Sequence, residues 1–561
     1  MKTPQQPLAQ RPGTSGPDFV GPRVSRWAAA SGLAAVGAGV AAGELAAGLL
    51  SPSVSPVTAV GGAVIDAVPP GVKEWAISLF GTADKLALLT GMGLAIAVLA
   101  AVAGVLELRR RFAGAAVVAV FGLAGLAAVL GRPEADGAAV PAPLLAAAVA
   151  VVLLRWLIGA LRDWRATAGE TRGTSVPETS VPETSSVPET SVADASPAPD
   201  AGQSAATRRR FLRSFSITAG VAAVGGVLAG TLRGATAAVT GYRSTLALPA
   251  PASAAPPVPA GADQQLPGQG PLVTPADDFY RIDTALRVPV VDPRTWKLTV
   301  TGMVDRPVEL DFQALLAKPL IERHITIACV SNEVGGDLIG NARWLGWPVR
   351  ELLAEAGPQQ GADMVLSRSV DGWTAGSPLE ALTDNRDAIL AIGMNGAPLP
   401  LEHGFPVRLV VPGLYGYVSA TKWLTELKVT RFAADEGYWT PRGWSERGPI
   451  KTSSRIDVPR AGRKVPAGTV TFGGVAWAQH RGIRGVEVRV NRGDWKAAEL
   501  APGISADTWR QWKLSLPLGP GSYEVQVRAT DATGAVQVEA QAPVAPDGAT
   551  GYHTVTVDVT S

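Results

Sequence analysis

Cysteine occurs once in 561 residues, at position 329. That excludes a disulfide framework within the chain and any zinc site built from clustered cysteines. Histidine is nearly as scarce: His324, His403, His480 and His553 are the four, and none precedes residue 324. The first 323 residues therefore offer no bis-histidine haem site, and no C-x-x-C-H exists for a covalently attached haem. Charged residues are 17% of the chain and sum to +2, which removes any bulk electrostatic case for nucleic acid. No G-x-G-x-x-G follows a strand pattern, and there is no glycine-rich Walker loop.

What the chain has instead is apolar length. Four runs of about 20 residues each, enough to cross hydrocarbon, lie at 27–50, 86–106, 112–130 and 141–161. Residues 57–80 are apolar in part, but Asp66, Pro69, Pro70, Lys73 and Glu74 interrupt them, which predicts a loop or interfacial segment. Arg11, Arg23 and Arg26 precede the first run, Arg109 to Arg111 follow the second, and Arg162, Arg165 and Arg172 follow the fourth. The positive-inside rule then puts the N-terminus in the cytoplasm and returns the chain there after four spans. Glycines four apart, Gly39 with Gly43 and Gly226 with Gly230 and Gly234, predict close helix contacts rather than a transport path. Glu44 lies toward the outer end of the first span, an interfacial position. Residues 1–165 are thus expected to form a transmembrane helical bundle in contact with lipid.

Residues 166–207 carry V-P-E-T-S repeats and predict a disordered linker. The stretch T-R-R-R-F-L-R, 207–213, then leads into an apolar run, so 208–235 predicts a fifth span. It resembles the twin-arginine export signal, although ordinary basic flanking of a span would also place arginines there. Either way, everything beyond about residue 235 is expected outside the cytoplasm. Residues 236–275, rich in proline and alanine, predict an extended spacer.

Soluble-domain composition begins near residue 276. W-K-L-T-V-T at 296–301, H-I-T-I-A-C-V at 324–330 and F-P-V-R-L-V-V-P-G at 405–413 predict strands. Asp311 caps one expected helix, and Pro348 and Gly357 bracket another. The mixture without a strict βαβ repeat predicts an α+β domain over 276–440. Over 441–561, short alternating strands such as G-V-E-V-R-V and S-Y-E-V-Q-V predict an Ig-like β-sandwich.

Cys329 ends an apolar strand and meets the polar turn Ser331-Asn332-Glu333, then Gly335-Gly336. Taken alone, a lone cysteine in such company is an inert core residue, a nucleophile with His324 or His403 as base, or a metal ligand. Its neighbours narrow the choice. C-x-x-N from Cys329 to Asn332, then Ala342-Arg343-Trp344, is similar to the sulfite oxidase family of molybdenum-cofactor enzymes. E-H-G-F-P-V-R-L-V-V-P-G at 402–413 with T-K-W-L at 421–424 resembles the family's second signature. D-D-F-Y-R at 277–281 looks like its aromatic-plus-arginine entrance, and G-V-A-W-A at 474–478 like the start of its Ig-like dimerisation domain. The likeness covers about 275–560, in a chain that resembles a membrane-anchored bacterial type.

The resemblance implies that Cys329 is the one protein ligand of molybdenum held by a molybdopterin, and soft sulfur suits that ion. It implies that His403 and Arg408 meet the pterin and its phosphate, that Ser419 and Lys422 complete the phosphate site, and that Asn332 and Ser369 also bind cofactor. Asp278, Tyr280 and Arg281 would line the entrance, and Arg281 and Arg343 would act beside Cys329 on a small-molecule substrate. It departs from sulfite-oxidising members after the cysteine, where they carry two arginines and this chain has Glu333 and Val334. An oxyanion substrate needs convergent positive charge. The expectation is therefore oxygen-atom transfer to or from a small sulfur-containing substrate, with sulfoxide reduction on the same fold as the alternative. Electrons would pass to or from a separate cytochrome or membrane redox protein, since no haem is expected in this chain. A homodimer through the C-terminal domain is implied by resemblance. A cofactor-free, membrane-anchored binding module is the alternative from another class.

Overall fold

A computed structural model of the chain describes residues 22–50, 55–68, 84–132, 137–170, 201–231 and 235–561. The described residues fall into two units, divided after helix 201–231.

The first unit is helical. Its elements are α1 (Pro22–Leu50), α2 (Pro56–Ala67), α3 (Asp84–Arg109), α4 (Ala113–Leu130), α5 (Pro141–Glu170) and α6 (Ala201–Thr231). Five of them are long and apolar enough to cross a membrane: Arg23–Leu50, Ala87–Arg109, Ala113–Leu130, Gly137–Thr167 and Ala205–Leu228. Their ranges overlap the five apolar runs of the sequence. Helix α2, at 12 residues, rises about 18 Å and is too short to cross. Residues 69–83 and the V-P-E-T-S repeats lie outside the described residues. A shared core joins Ala28 and Ala35 of α1, Ala103 and Leu108 of α3, Leu154, Leu157 and Ile158 of α5, and Phe211 of α6. Glycine makes the approach possible: a Cβ on Gly32 or Gly104 would run into the backbone of the facing helix. Gly39 and Gly43 pack on Ala146 as their spacing predicted, whereas Gly226 meets nothing within 4 Å. Glu44 is buried and accepts a hydrogen bond from the Val57 amide at 3.1 Å. The Thr207–Arg213 stretch is helical within α6, with Arg208, Arg209 and Arg210 exposed.

The second unit begins with α7 (Ala235–Thr245), whose Arg243 donates to the Leu399 carbonyl at 2.6 Å. This helix occupies the first ten residues of the expected extended spacer 236–275, and the remainder is not free. Ala252 donates to Leu320 O at 2.7 Å, Ser253 bridges Ile321, and Thr274 donates to Asn341 O at 2.8 Å. Gln269 reaches Gly474 O at 2.8 Å, and Ala262 and Leu272 are buried. The segment is a strap laid over the sheets, extended because proline holds it so.

Ten strands follow: β1 (Lys297–Gly302), β2 (Val308–Asp311), β3 (Ile321–Ala328), β4 (Ile339–Pro348), β5 (Met364–Ser369), β6 (Thr374–Pro378), β7 (Ile389–Met394), β8 (Ala397–Pro398), β9 (Arg408–Val410) and β10 (Leu424–Thr430). One sheet runs β2-β1-β10-β5-β6, with β1 and β10 parallel. The other runs β3-β4-β7-β8, with β9 pairing β7. Short helices α8 (Phe312–Leu316), α9 (Val349–Ala356) and α10 (Leu379–Thr383) intervene. Asp311 caps α8 by accepting from Ala314 N at 2.8 Å, and Gly357, at φ +70°, ends α9. This is the α+β arrangement that the patterning predicts.

The C-terminal region is β-rich: β11 (Ser453–Val458), β12 (Lys464–Pro466), β13 (Gly468–Trp477), β14 (Ile483–Val490), β15 (Lys496–Ala497), β16 (Glu499–Leu500), β17 (Arg510–Leu518), β18 (Gly521–Asp531) and β19 (His553–Thr560). Two sheets, β11-β13-β17-β16 and β12-β19-β18-β14-β15, share one apolar core containing Phe472, Trp512, Val488, Val525 and Val557. The region is tied to β3: Gln479 donates to the Thr326 carbonyl at 3.1 Å and Trp509 N to its hydroxyl at 2.9 Å.

Candidate active site

Cys329 follows β3, buried, and its amide extends the ladder by donating to Leu338 O at 2.9 Å. Asn332 closes the loop: its amide donates to Cys329 O at 3.2 Å and its side-chain oxygen accepts from Leu338 N at 2.9 Å. Burial pushes the Cys329 thiol up from its ordinary value, while hydrogen bonds from Ser331 and the Lys422 charge oppose that rise.

His403 sits before Gly404, in a short 3-10 turn, and Arg408 opens β9. Gly404, at φ +107°, is required twice: by its backbone and by space, since a Cβ would meet Lys422 Cβ at 3.0 Å and Arg408 Cβ at 3.1 Å. The histidine's Nε2 is bonded to Ala276 O at 2.9 Å, so the neutral ring donates there and leaves Nδ1 as an acceptor. Burial, with Arg408 and Lys422 beside it, lowers His403 to about 4. Arg408 is 3% exposed, and burial brings it down to about 10. Its two terminal nitrogens donate to His403 O at 3.2 Å and Ala420 O at 3.4 Å, and its guanidinium lies 5.0 Å from the Trp344 ring centre. Between them Arg408 and His403 hold two buried atoms with no protein partner among the described residues, the Arg408 Nε donor and the His403 Nδ1 acceptor, and the Ser369 hydroxyl is a third such atom in the site. A buried charge held only by long bonds is unfavourable unless something else pairs with it.

Lys422 donates to Asp283 at 2.9 Å and to Glu402 O at 3.0 Å, and burial lowers it to about 8. Its neighbour Trp423 adopts φ +49°, a left-handed conformation costly for a bulky residue. Ser419 is fully buried and donates to Tyr415 O at 2.9 Å. Ser369, at the end of β5, is buried with its hydroxyl beside Asp371, whose carboxyl burial pushes up. Tyr280 is half-buried and lies in the fields of Cys329 and Arg408; burial raises its hydroxyl well above the ordinary phenol range.

The fold thus links Cys329, Tyr280, His403, Arg408 and Lys422; Asn332 closes the cysteine loop, Ser419 precedes the Ala420 carbonyl that Arg408 holds, and Ser369 pairs with Leu424, two residues beyond Lys422. Arg281 stands at the rim, 36% exposed, bonded to Asp283 at 3.1 Å. Asp278 is exposed on its 3-10 turn, and the buried residue of that stretch is Phe279, wedged between Trp344 and His403. Arg343 does not join the set. It pairs across the ladder with His324, so strand alternation puts it with Thr326 and Asn341. Ile325, Ile327, Ala342 and Trp344 face the other side, toward His403 and Phe405. Arg343 instead meets Glu322 at 3.3 Å and lines a separate cavity of about 290 Å³ with His324 and Asn395.

Sequence patterning missed Asp283, which binds Arg281 and Lys422, and Tyr415, which burial pushes up to about 12. Asp283 lies 139 residues from Lys422, and no local signal announces such a pair.

The donor set suits a molybdopterin. A thiol is available to a soft metal, Arg408 and Lys422 are cations of the kind a phosphate pairs with, and Arg408 Nε, His403 Nδ1 and the Ser369 hydroxyl are buried groups open to a hydrogen-bonding heterocycle. Comparison with known proteins agrees. Residues 285–439 match the family described as oxidoreductase molybdopterin binding domain. The chain is 30% identical to the sulfite oxidase of Gallus gallus over 326 residues, which cover 49% of this chain and 70% of that one. It is 31% identical to the mitochondrial sulfite oxidase of Homo sapiens over 325 residues, 48% of this chain and 58% of that one. An uncharacterized oxidoreductase of Bacillus subtilis is 36% identical over 157 residues, 28% of this chain and 76% of that one. Among solved structures, the sulfane dehydrogenase SoxCD from Paracoccus pantotrophus matches 52% of this chain and 84% of its own at 23% identity and TM-score 0.45. With these residues and relatives, the chain belongs to the sulfite oxidase family of molybdopterin-dependent oxidoreductases.

Proposed function

We propose that the protein is a membrane-anchored, extracytoplasmic oxidoreductase that moves an oxygen atom to or from a small sulfur-containing substrate. The observation that carries this reading is one buried thiol that shares its neighbours Tyr280 and Lys422 with a buried arginine and histidine, each of which has an unpartnered ring or guanidinium nitrogen. Cys329 would ligate molybdenum through Sγ. His403, Arg408, Ser419 and Lys422 would hold the pterin and its phosphate, with Asn332, Ser369, Tyr280, Arg281 and Asp278 around them. When bound, the cofactor supplies a metal able to exchange an oxygen atom and two electrons. The chain's own residues prepare that place. Burial disfavours a bare Cys329 thiolate, so ionisation awaits a cation at Sγ. Neutral His403 presents an acceptor at Nδ1 while Nε2 holds the Ala276 carbonyl. Tyr280, kept protonated, offers a hydroxyl donor near the thiol. Trp344 and Phe279 exclude water beneath the guanidinium.

The apolar helices serve as the anchor, with the arginine-flanked fifth span placing the enzyme outside the cytoplasm. The two-sheet C-terminal region is the Ig-like domain and the surface for a homodimer. Electrons pass to a separate redox protein.

Sulfoxide reduction is the second reading, and one observation favours it. Of the cations that could meet a substrate oxyanion, Arg281 is bonded to Asp283, which also holds Lys422, Arg343 is on the other face, and Arg408 would be taken by the pterin phosphate. A neutral S=O group suits such a site better than sulfite. The test is the full chain from a molybdate-fed host, with molybdenum and pterin measured per chain beside Cys329→Ser. We expect near-stoichiometric metal in the parent, and retained pterin with an altered metal absorption in the variant. A folded parent containing neither would leave a binding module. Assays with sulfite plus cytochrome c, and methionine sulfoxide plus reduced viologen, separate the two directions.

A further inference from the structure

The loop that carries Cys329 is held from outside as well as from within. Its inner side is closed by Asn332 on Leu338 N at 2.9 Å and by Gly336 N on Glu333 O at 2.9 Å. Its outer side meets the two-sheet domain at three places. Arg455 of β11 donates from Nη1 to the Gly336 carbonyl at 2.6 Å, and its Nε donates to Asp457 at 2.6 Å. The His553 ring, at the start of β19, packs on Gly335, where a Cβ would overlap it. That ring is fixed in turn, because its Nδ1 accepts from Ile456 N at 2.9 Å. Val334 lies opposite Gly551, where an added Cβ would sit 3.6 Å from its Cγ2.

The geometry is that of a clamp. Arg455 and Asp457 share one face of β11, both side chains 14% exposed, while Ile456 between them enters the sheet core. An arginine already bonded to a carboxylate has little freedom to leave the carbonyl it holds. The rigidity of the two-sheet core therefore reaches the loop through Arg455 and His553.

We propose that Arg455, locked by Asp457 and backed by His553, is a positioning residue for Cys329: the C-terminal domain keeps the thiol at its depth and direction. This rests on the reading of Cys329 as the metal ligand, but it concerns the chain's own loop and holds before any metal binds. The chain's single cysteine makes the test specific, since every thiol signal comes from one position.

The experiment uses the full chain in detergent, from a host starved of molybdate, and follows the rate at which Cys329 reacts with an aromatic disulfide reagent. Arg455→Met is expected to react about ten- to a hundredfold faster than the parent, because the loop opens locally once a charge-assisted bond is lost. Asp457→Asn, which leaves Arg455 in place but unlocked, is expected to give a smaller rise of roughly threefold. Phe472→Leu loosens the same domain from a fully buried position away from the loop and is expected to stay within about twofold of the parent. A parent-like rate in Arg455→Met overturns the proposal, as does an equal rise in Phe472→Leu. If Arg455→Met does not fold, an unchanged rate in Asp457→Asn overturns it. Because no metal enters the measurement, a failed molybdenum assay and a failed clamp are separate results.

Discussion

The apolar helices and the sheet unit both bury charge, but they treat it differently. Glu107, at the end of α3, is 2% exposed, and each oxygen has a partner: Oε1 accepts from Phe112 N at 3.1 Å and Oε2 from Ala115 N at 3.0 Å. Its carboxylate satisfies the unpaired amides at the start of α4, a structural duty completed within the fold. Arg408 is buried to the same degree, yet its two bonds are long and Nε has none. A charge that the fold satisfies serves the fold; one left short of partners waits for a ligand.

The sharpest way to break that contrast is Arg408→Met. Losing an under-satisfied buried charge should leave the cofactor-free protein as stable as before, or more so. Cofactor retention should fall about a hundredfold, near 3 kcal/mol, for loss of a desolvated phosphate partner. Pterin per chain after dialysis, together with the thermal midpoint of cofactor-free protein, checks both halves. A midpoint several degrees lower would make Arg408 a structural residue like Glu107.

Acidity gives the next largest effect. Burial lowers both His403 and His553 to about 4, so the folded state prefers them neutral. Their contribution is full above about pH 6.5, where the unfolded chain also loses the proton, and it is lost as pH falls toward 4. Each accounts for on the order of 2 kcal/mol across that window. Since the first 323 residues hold no histidine, the helical unit should show no step between pH 6.5 and 5. Urea midpoints against pH, with His553→Gln removing about half the slope, measure it.

Gly104→Val tests the helices by shape rather than charge. The added side chain would strike the Ala28 carbonyl and separate α1 from α3, which should cost about 1–3 kcal/mol in detergent with no change in the chemistry at Cys329. The smallest effect belongs to Glu107→Gln, which keeps an acceptor and loses the charge, lowering helix stability by about 1 kcal/mol. Circular dichroism melts follow both. A loss of pterin in either variant would mean that the two regions are not energetically separate.

Much of this was legible beforehand. The five long apolar helices follow from length and apolarity, and Gly39 and Gly43 from the need for close backbones. The H-G-F-P-V-R run announced His403 and Arg408, and the polar turn after Cys329 marked the loop. Three things were not legible. Arg343 looked like a partner of Cys329, yet whether they share a face depends on the pairing of His324 with Arg343, an inter-strand register. The segment 236–275 looked like an extended spacer, yet its first ten residues are helical and the rest lies against the sheets, because proline signals extension but says nothing of what an extended segment lies against. Asp283 carries no motif, and its value comes from Lys422, far along the chain.

By itself the amino-acid sequence determined the chain's chemistry: which helices are long enough to cross a membrane, the one available thiol, and the spacing of histidine and arginine that suits a molybdopterin. Those are local properties, written in composition, period and motif. Tertiary structure alone decided which cations remain unmatched, which face Arg343 takes, and how Arg455 and His553 grip the cysteine loop. Each of these depends on distance between residues remote in sequence, and electrostatic and hydrogen-bond energies are set by that distance rather than by order along the chain.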